Sequence, residues 1–208
     1  MRVEHGISVA HLLSEPRLDP ILRLVAGTAG TERTIDHPRV QKPGLALVGH
    51  THGVVPTRVQ ILGETEITYL ETFSSEEQAA RLSALFELGL SLVVVTRGVE
   101  PPAALVEAAE RTSTPLAIAE PRSSRSIQTI HLTLDGILAP SETRHGVLMD
   151  VYGVGVLLLG PSGIGKSECA LFLVERGHRF VADDQVILSL LPSEQVLGRA
   201  PQLLRTCL

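Results

Sequence analysis

The chain has 208 residues, 44% of them hydrophobic, and a formal net charge of −5 with 3% aromatic residues. That apolar content fills one large or two small domain cores, while the acidic balance leaves no general basic surface for a phosphate backbone and few rings for base stacking. No apolar run reaches the about 18–20 residues that cross a bilayer, and no charged start precedes a signal-like apolar core, so neither nucleic acid nor membrane is expected as a partner and a cytoplasmic globular protein is.

The segment up to about Gly53 is irregular, with Pro16, Pro20, Pro38 and Pro43 interrupting any long helix. It contains His50 and His52 in an H-x-H pair, but without a third ligand at metal-like spacing, so a loop is expected there. Regular alternation then begins. Thr57–Gly63 ("TRVQILG") and Ser91–Gly98 ("SLVVVTRG") are β-branched runs closed by glycine, as in buried strands. Between them a helix is predicted from Ser74 or Ser75 as N-cap to Gly89, with Glu76 and Glu77 in its first turn and Ala79, Leu82, Leu85, Phe86 and Leu88 mostly on one face. A second helix starts at Pro101 and Pro102 and runs through "AALVEAAER", "TPLAIAE" supplies the next strand, and "SSRSIQTIHLTLDGIL" forms a third helix capped by Ser123 or Ser124. After it the polar stretch "APSETRHG" separates the two halves. The boundary is placed near Asp135, giving an N-terminal α/β domain over 1–134 and a second domain over 135–208.

In the second half, Gly160, Pro161, Ser162, Gly163, Ile164, Gly165, Lys166 and Ser167 fit G-x-x-x-x-G-K-[ST] without a mismatch. "VGVLLL" before them suits a buried strand, and "SECALFLVERG" after them has helical periodicity and a glycine C-cap at Gly177. Glycines let the backbone curl so that successive amides point inward at a helix N-terminus, a nest for phosphate oxygens. Lys166 then reaches the β and γ phosphates and the Ser167 hydroxyl joins a Mg²⁺ shell. A merely tight strand-to-helix turn explains the glycines but not the adjoining Lys and Ser.

Further on, "HRFVADDQVIL" reads as an apolar strand ending in Asp183 and Asp184 at the carboxyl edge of the sheet. One carboxylate could serve Mg²⁺ and the other accept a proton from a hydroxyl nucleophile; taken alone, the pair reads rather as a solvated turn, and the glycine turn just upstream is what favours the catalytic reading. His145 lies on the segment entering this half; a lone histidine is more often structural than catalytic, and on composition a site role is the lesser reading. Cys169 and Cys207 stand far apart with no companion thiol, so both are expected free and reduced.

These residues carry a resemblance. "HGVLMDVYGVGVLLLGPSGIGKSECALFLVERGHRFVADDQV", His145 to Val186, resembles the core of HPr kinase/phosphorylase, and "KPGLALVGH", "RVQILGETEITYL", "TRGVEPPAALVEAA" and "LDGILAPSETRHG" resemble that family's N-terminal domain in order. The resemblance implies an α/β module followed by a P-loop kinase core related in shape to phosphoenolpyruvate carboxykinase. It implies ATP-dependent phosphorylation of a serine of the phosphocarrier protein HPr, reversed by phosphorolysis with inorganic phosphate in and pyrophosphate out, in the control of carbon metabolism. By the same resemblance His145, Lys166 and Asp184 are catalytic, with Asp184 as base in one direction and acid in the other. Gly160 to Ser167 would hold ATP, and Ser167 and Asp183 would hold Mg²⁺. A homo-oligomer, a hexamer in the family, is implied as well. In the family the segment like "GRAPQLLRTCL" is followed by a signature with a Mg²⁺-holding Glu and an Arg beside it, whereas this sequence ends at Leu208, so a kinase core truncated at its C-terminus is expected. The alternatives are a non-catalytic nucleotide- or partner-binding remnant and, on the loop alone, a small-molecule kinase or ATPase.

Overall fold

The computed structural model describes residues 6–191 and 193–201. The chain divides into two compact units, Arg2–Leu138 and Ala139–Leu208. Asp135 lies inside the last helix of the first unit, and the division falls just after that helix ends.

The first unit opens with β1 (Ile7–Ser8), α1 (Val9–Leu13), β2 (Leu22–Ala26) and β3 (Thr34–Ile35), with β1 and β3 forming a small antiparallel pair. The remainder alternates: β4 (Val59–Leu62), α2 (Glu64–Glu71), α3 (Ser75–Phe86), β5 (Leu92–Thr96), α4 (Ala103–Arg111), β6 (Leu116–Ala119) and α5 (Ser123–Ile137). The main sheet has the order β2-β6-β5-β4, parallel throughout except for β2, which adds antiparallel to β6. Its central strands β5 (LVVVT) and β6 (LAIA) read as nearly unbroken apolar runs because both faces are covered. Val93 and Val95 pack with Leu82, Leu85, Phe86 and Leu105 from α3 and α4. Leu92 and Val94 pack on the other face with Val9, Leu12, Ile130 and Leu134 from α1 and α5.

Helix starts follow local chemistry. In α3, Ser74 accepts from the Glu77 amide while Glu77 accepts from the Ser74 amide, a reciprocal capping box. That hydrogen bond holds the Glu77 carboxyl below its ordinary pKa. Pro102 is the N-cap of α4, at a φ of −58°. In α5 the N-cap is Arg122, without a side-chain cap, and not Ser123 or Ser124: the Ser123 hydroxyl is instead engaged with Thr96 Oγ1 at 2.6 Å. Helix α2 was not anticipated, its short "ETEITYLE" having little apolar patterning. His50 and His52 lie in and next to a turn with ring centroids 6.2 Å apart. Among the described residues no cluster of three or more His, Cys, Asp or Glu is placed to hold a metal, and no helix is long and apolar enough to cross a membrane.

Two histidines tie the segment after β3 to its surroundings. His131 Nε2 on α5 accepts from the Val40 amide at 3.1 Å, and His37 Nε2 faces Arg58 Nη2 at 2.7 Å; a guanidinium has no lone pair, so that ring nitrogen must accept. Burial first, then the neighbouring Arg39 (at His131) and Arg58 (at His37), lower both pKa values below that of an ordinary histidine, with Asp135 and Asp36 opposing. A lowered histidine pKa means that protonation disfavours the fold. This stability is complete above the unfolded value of about 6.5 and drains as pH falls from there through the lowered folded values. The thermal midpoint of the chain is expected to fall between about pH 7.5 and about pH 5, and by less in the double variant His37→Gln, His131→Gln. An equal fall in both would remove the histidines from the account.

The second unit comprises β7 (Ser141–His145), β8 (Val147–Val151), β9 (Val154–Leu158), α6 (Lys166–Glu175), β10 (Arg179–Ala182), β11 (Gln185–Leu190) and β12 (Val196–Arg199). They form two antiparallel sheets, ordered β10-β8-β9 and β12-β11-β7. Three expectations are corrected here. "SETRH" is a strand, polar because it is exposed at a sheet edge. "HRFVADDQVIL" is two strands in different sheets. The apolar run of β9 is not buried on both sides, since it too lies at an edge and Val154 is 64% exposed. Helix α6 buries only Ala170, leaving Leu171 and Phe172 exposed, and ends with Gly177 in the left-handed region after Arg176. Cys169 is free and exposed, while Cys207 and the end of "GRAPQLLRTCL" lie outside the described residues.

Candidate functional site

In the sheet β10-β8-β9 the central strand runs against both neighbours, so β9 and β10 point the same way. Val147 pairs with Leu158 and Leu148 with Ala182, which sets the start of β8 beside the ends of β9 and β10. Three connections therefore meet at one edge: the glycine turn after β9, Asp183 and Asp184 after β10, and His145 and Gly146 before β8. They line a cleft of about 610 Å³, with His145, Gly146, Gly160, Ser162, Gly163, Gly165, Lys166, Ser167, Glu168, Asp183 and Asp184 on its walls.

Both chains that cross this edge also change sheets there. His145 pairs with Gln185 in the second sheet, one residue before Gly146 leads into the first, and Asp184 sits where β10 gives way to β11. The Gly146 amide donates to the Asp184 carbonyl at 3.2 Å and locks the two crossings together. A side chain on Gly146 would meet the Leu158 carbonyl oxygen at 2.6 Å and Leu159 Cδ2 at 3.1 Å, next to the glycine turn. Gly146→Ala is therefore expected to cost about 1–3 kcal/mol of stability by overpacking, read as a lower thermal midpoint. It is also expected to disturb the turn, read as weaker ATP affinity; an unchanged melt would mean that β9 yields freely.

Asp184 has φ +67°, a left-handed conformation that costs a non-glycine residue on the order of 1–2 kcal/mol. Asp bears it better than most residues because its short side chain bonds locally. The neighbouring Asp183 carboxylate accepts the Asp184 amide at 2.7 Å, and the Gln185 amide donates to the Asp183 carbonyl at 2.8 Å, so the turn is held from both ends. The result brings Asp184 Oδ1 within 3.3 Å of His145 Nδ1. Both side chains are about four-fifths exposed, 78% and 83%, and a pair this solvated adds little to stability.

The glycine turn leads directly into α6, with Gly165 as N-cap at φ +99° and Lys166 as the first helical residue. Nothing lies within 4 Å of where a side chain on Gly163 would sit, so the turn is open toward solvent. Lys166 Nζ donates to the Gly160 and Pro161 carbonyls at 2.9 and 3.0 Å and has no carboxylate partner among the described residues. Pro161 contributes that carbonyl rather than a wall of the cleft. Ile164 is 63% exposed and lines a neighbouring groove with Cys169 and Phe172, which shares Gly165 and Glu168 with the cleft.

The donor set suits polyphosphate with Mg²⁺. Amides at a helix N-terminus and one unpaired ammonium match phosphate oxygens. The Ser167 hydroxyl and the Asp183 carboxylate are hard oxygen ligands, and two such ligands are typical for Mg²⁺, which takes its remaining partners from phosphate and water. All eight predicted turn residues and His145, Asp183 and Asp184 are thus at this edge, with only Pro161 and Ile164 outside the cleft wall. Gly146 and Glu168 also line the cleft, each next to a residue that the sequence points to and neither carrying a motif of its own.

The family described as HPr Serine kinase N terminus matches residues 7–134, and that described as HPr Serine kinase C-terminal domain matches residues 136–208. The chain belongs to the HPr serine kinase family. It is 44% identical over 197 residues to a protein of Geobacter sulfurreducens named HPr kinase/phosphorylase, covering 95% of this chain and 62% of that protein, so it spans less than two thirds of the relative's length. Among solved structures, the CBS and DRTGG domains of the regulatory region of Clostridium perfringens pyrophosphatase match at 18% identity, a TM-score of 0.40, and coverage of 62% of this chain and 51% of that one, a likeness too slight to bear on function.

Proposed function

We propose that this chain carries the nucleotide-handling part of an HPr serine kinase/phosphorylase. The observation that supports this most is the convergence of Lys166, Ser167, Asp183, Asp184 and His145 on one cleft through the crossing of β7–β8 and β10–β11. Family membership supports HPr as the acceptor.

In this reading the amides between Gly160 and Ser167 bind the polyphosphate of ATP and Lys166 leaves its own turn carbonyls to reach the γ-phosphate. Mg²⁺, held by Ser167 and Asp183, supplies positive charge at the phosphate oxygens when bound. Asp184 accepts the proton of the HPr serine hydroxyl as the Oγ–P bond forms and the bond from the γ-phosphorus to its bridging oxygen breaks, releasing ADP. In the reverse direction an oxygen of inorganic phosphate attacks the phosphoserine phosphorus, the P–Oγ bond breaks, Asp184 returns the proton to Oγ, and pyrophosphate leaves. The two reactions share the bond at the seryl oxygen, so the carboxyl that takes the proton as the Oγ–P bond forms is placed to return it as that bond breaks. His145 orients the Asp184 carboxylate.

The test is to incubate the purified chain with HPr, γ-labelled ATP and Mg²⁺. Label on an HPr serine, removed by added inorganic phosphate with pyrophosphate appearing, is the expected result. Steady ATP hydrolysis with no label on HPr would favour a small-molecule kinase or ATPase, and ATP binding without transfer would favour a non-catalytic binding role.

A further inference from the structure

Three carboxylates, Asp183, Asp184 and Glu168, and one ammonium, Lys166, are among the residues that line the cleft, Glu168 also bordering the neighbouring groove with Cys169 and Phe172. With His145 neutral the walls are net negative, an unfavourable setting for a bare polyphosphate. Asp183 and Asp184 have parts in binding metal and moving a proton. Glu168 has none.

Its position on α6 is unusual for its chemistry. With Gly165 as N-cap, Glu168 is the third helical residue, from which a Glu ordinarily reaches back to the N-cap amide. Glu66 in α2 does so at 2.8 Å and Glu77 in α3 at 3.0 Å. Glu168 makes no such bond among the described residues. Its Oε2 lies 3.5 Å from where a side chain on Gly165 would begin, and both residues line the cleft. The carboxylate thus sits at the positive end of α6, beside the turn whose amides a phosphate would use, without consuming them.

We infer that Glu168 makes polyphosphate binding conditional on a divalent cation, a specificity role that rests on the reading of this cleft as the nucleotide site. Its negative charge opposes bare ATP or pyrophosphate at the turn. A metal cancels two of the polyphosphate's charges and offsets the repulsion, so the metal-loaded form is selected over the free one.

The test is the affinity of the full chain for ATP, and separately for pyrophosphate, by calorimetry in EDTA and in Mg²⁺. Glu168→Gln is expected to bind bare ATP about tenfold more tightly than the natural chain, with little change for the metal complex, while Glu168→Asp keeps the original preference. Glu168→Ser serves as a second neutral variant if the glutamine fails to fold. An unchanged ratio of the two affinities in a neutral variant with a normal melt would reduce Glu168 to a helix-stabilising charge and overturn the inference, leaving the nucleotide site standing. No ATP binding by the natural chain in either condition would overturn both.

Discussion

Asp184→Asn is expected to slow phosphoryl transfer to HPr by about 10²–10⁴-fold, the range for loss of a positioned general base, while ATP affinity hardly changes. The substitution is chosen for its conformation. Asn tolerates the left-handed region as Asp does, so the φ of +67° and the bond from the Gly146 amide to the residue 184 carbonyl are retained. The amide keeps the shape of the carboxyl and cannot take the proton. Label transfer from γ-labelled ATP, alongside calorimetric ATP affinity, separates the two quantities. A full rate in the variant would remove Asp184 from the proton path, and a parallel loss of affinity would make it a binding group.

Lys166→Ala is the second large effect, expected to weaken ATP binding by about 10- to 100-fold, matching about 1.5–3 kcal/mol for a hydrogen bond to a charged group. The ammonium bonds to two neutral carbonyls of its own turn, so it is free of any carboxylate that would compete with phosphate. Its loss leaves the first turn of α6 without a buried orphan, because the Gly160 and Pro161 carbonyls are on exposed residues and water replaces the donor. The melt is therefore expected to stay near that of the natural chain while affinity falls. Unaltered ATP affinity would place the polyphosphate elsewhere.

The parts of this molecule visible in sequence are those fixed by neighbours in the chain. Val93 and Val95 pack on one face of the sheet and Leu92 and Val94 on the other, so β5 appears as an unbroken apolar word. Ser74 and Glu77 announce the start of α3 within four residues. Gly160 to Ser167 is likewise a local pattern. What was not visible depends on partners distant in sequence. The "SETRH" strand has no apolar signal because its order comes from pairing with β11, about forty residues on, and that pairing carries His145 to Asp184. The break inside "HRFVADDQVIL" is made by the left-handed Asp184, a conformation that aspartate tolerates but that the pairing of Gln185 with His145 on β7 fixes in place. The Ser123 cap failed because Thr96, at the end of β5, claims that hydroxyl. Glu168 was hidden by its ordinariness, an acidic residue in a helix's first turn, until its failure to close a capping box set it apart from Glu66 and Glu77.

The grip of the Gly160–Ser167 amides on polyphosphate is tested most directly by titrating the ¹⁵N-labelled chain with ATP and Mg²⁺ and following its amide resonances. The largest shifts are predicted at Gly163, Gly165, Lys166 and Ser167, with Asp184 and Gly146 moving in step because their backbones are bonded to each other. Saturable shifts confined to other parts of the chain, with these six residues unmoved, would contradict the account.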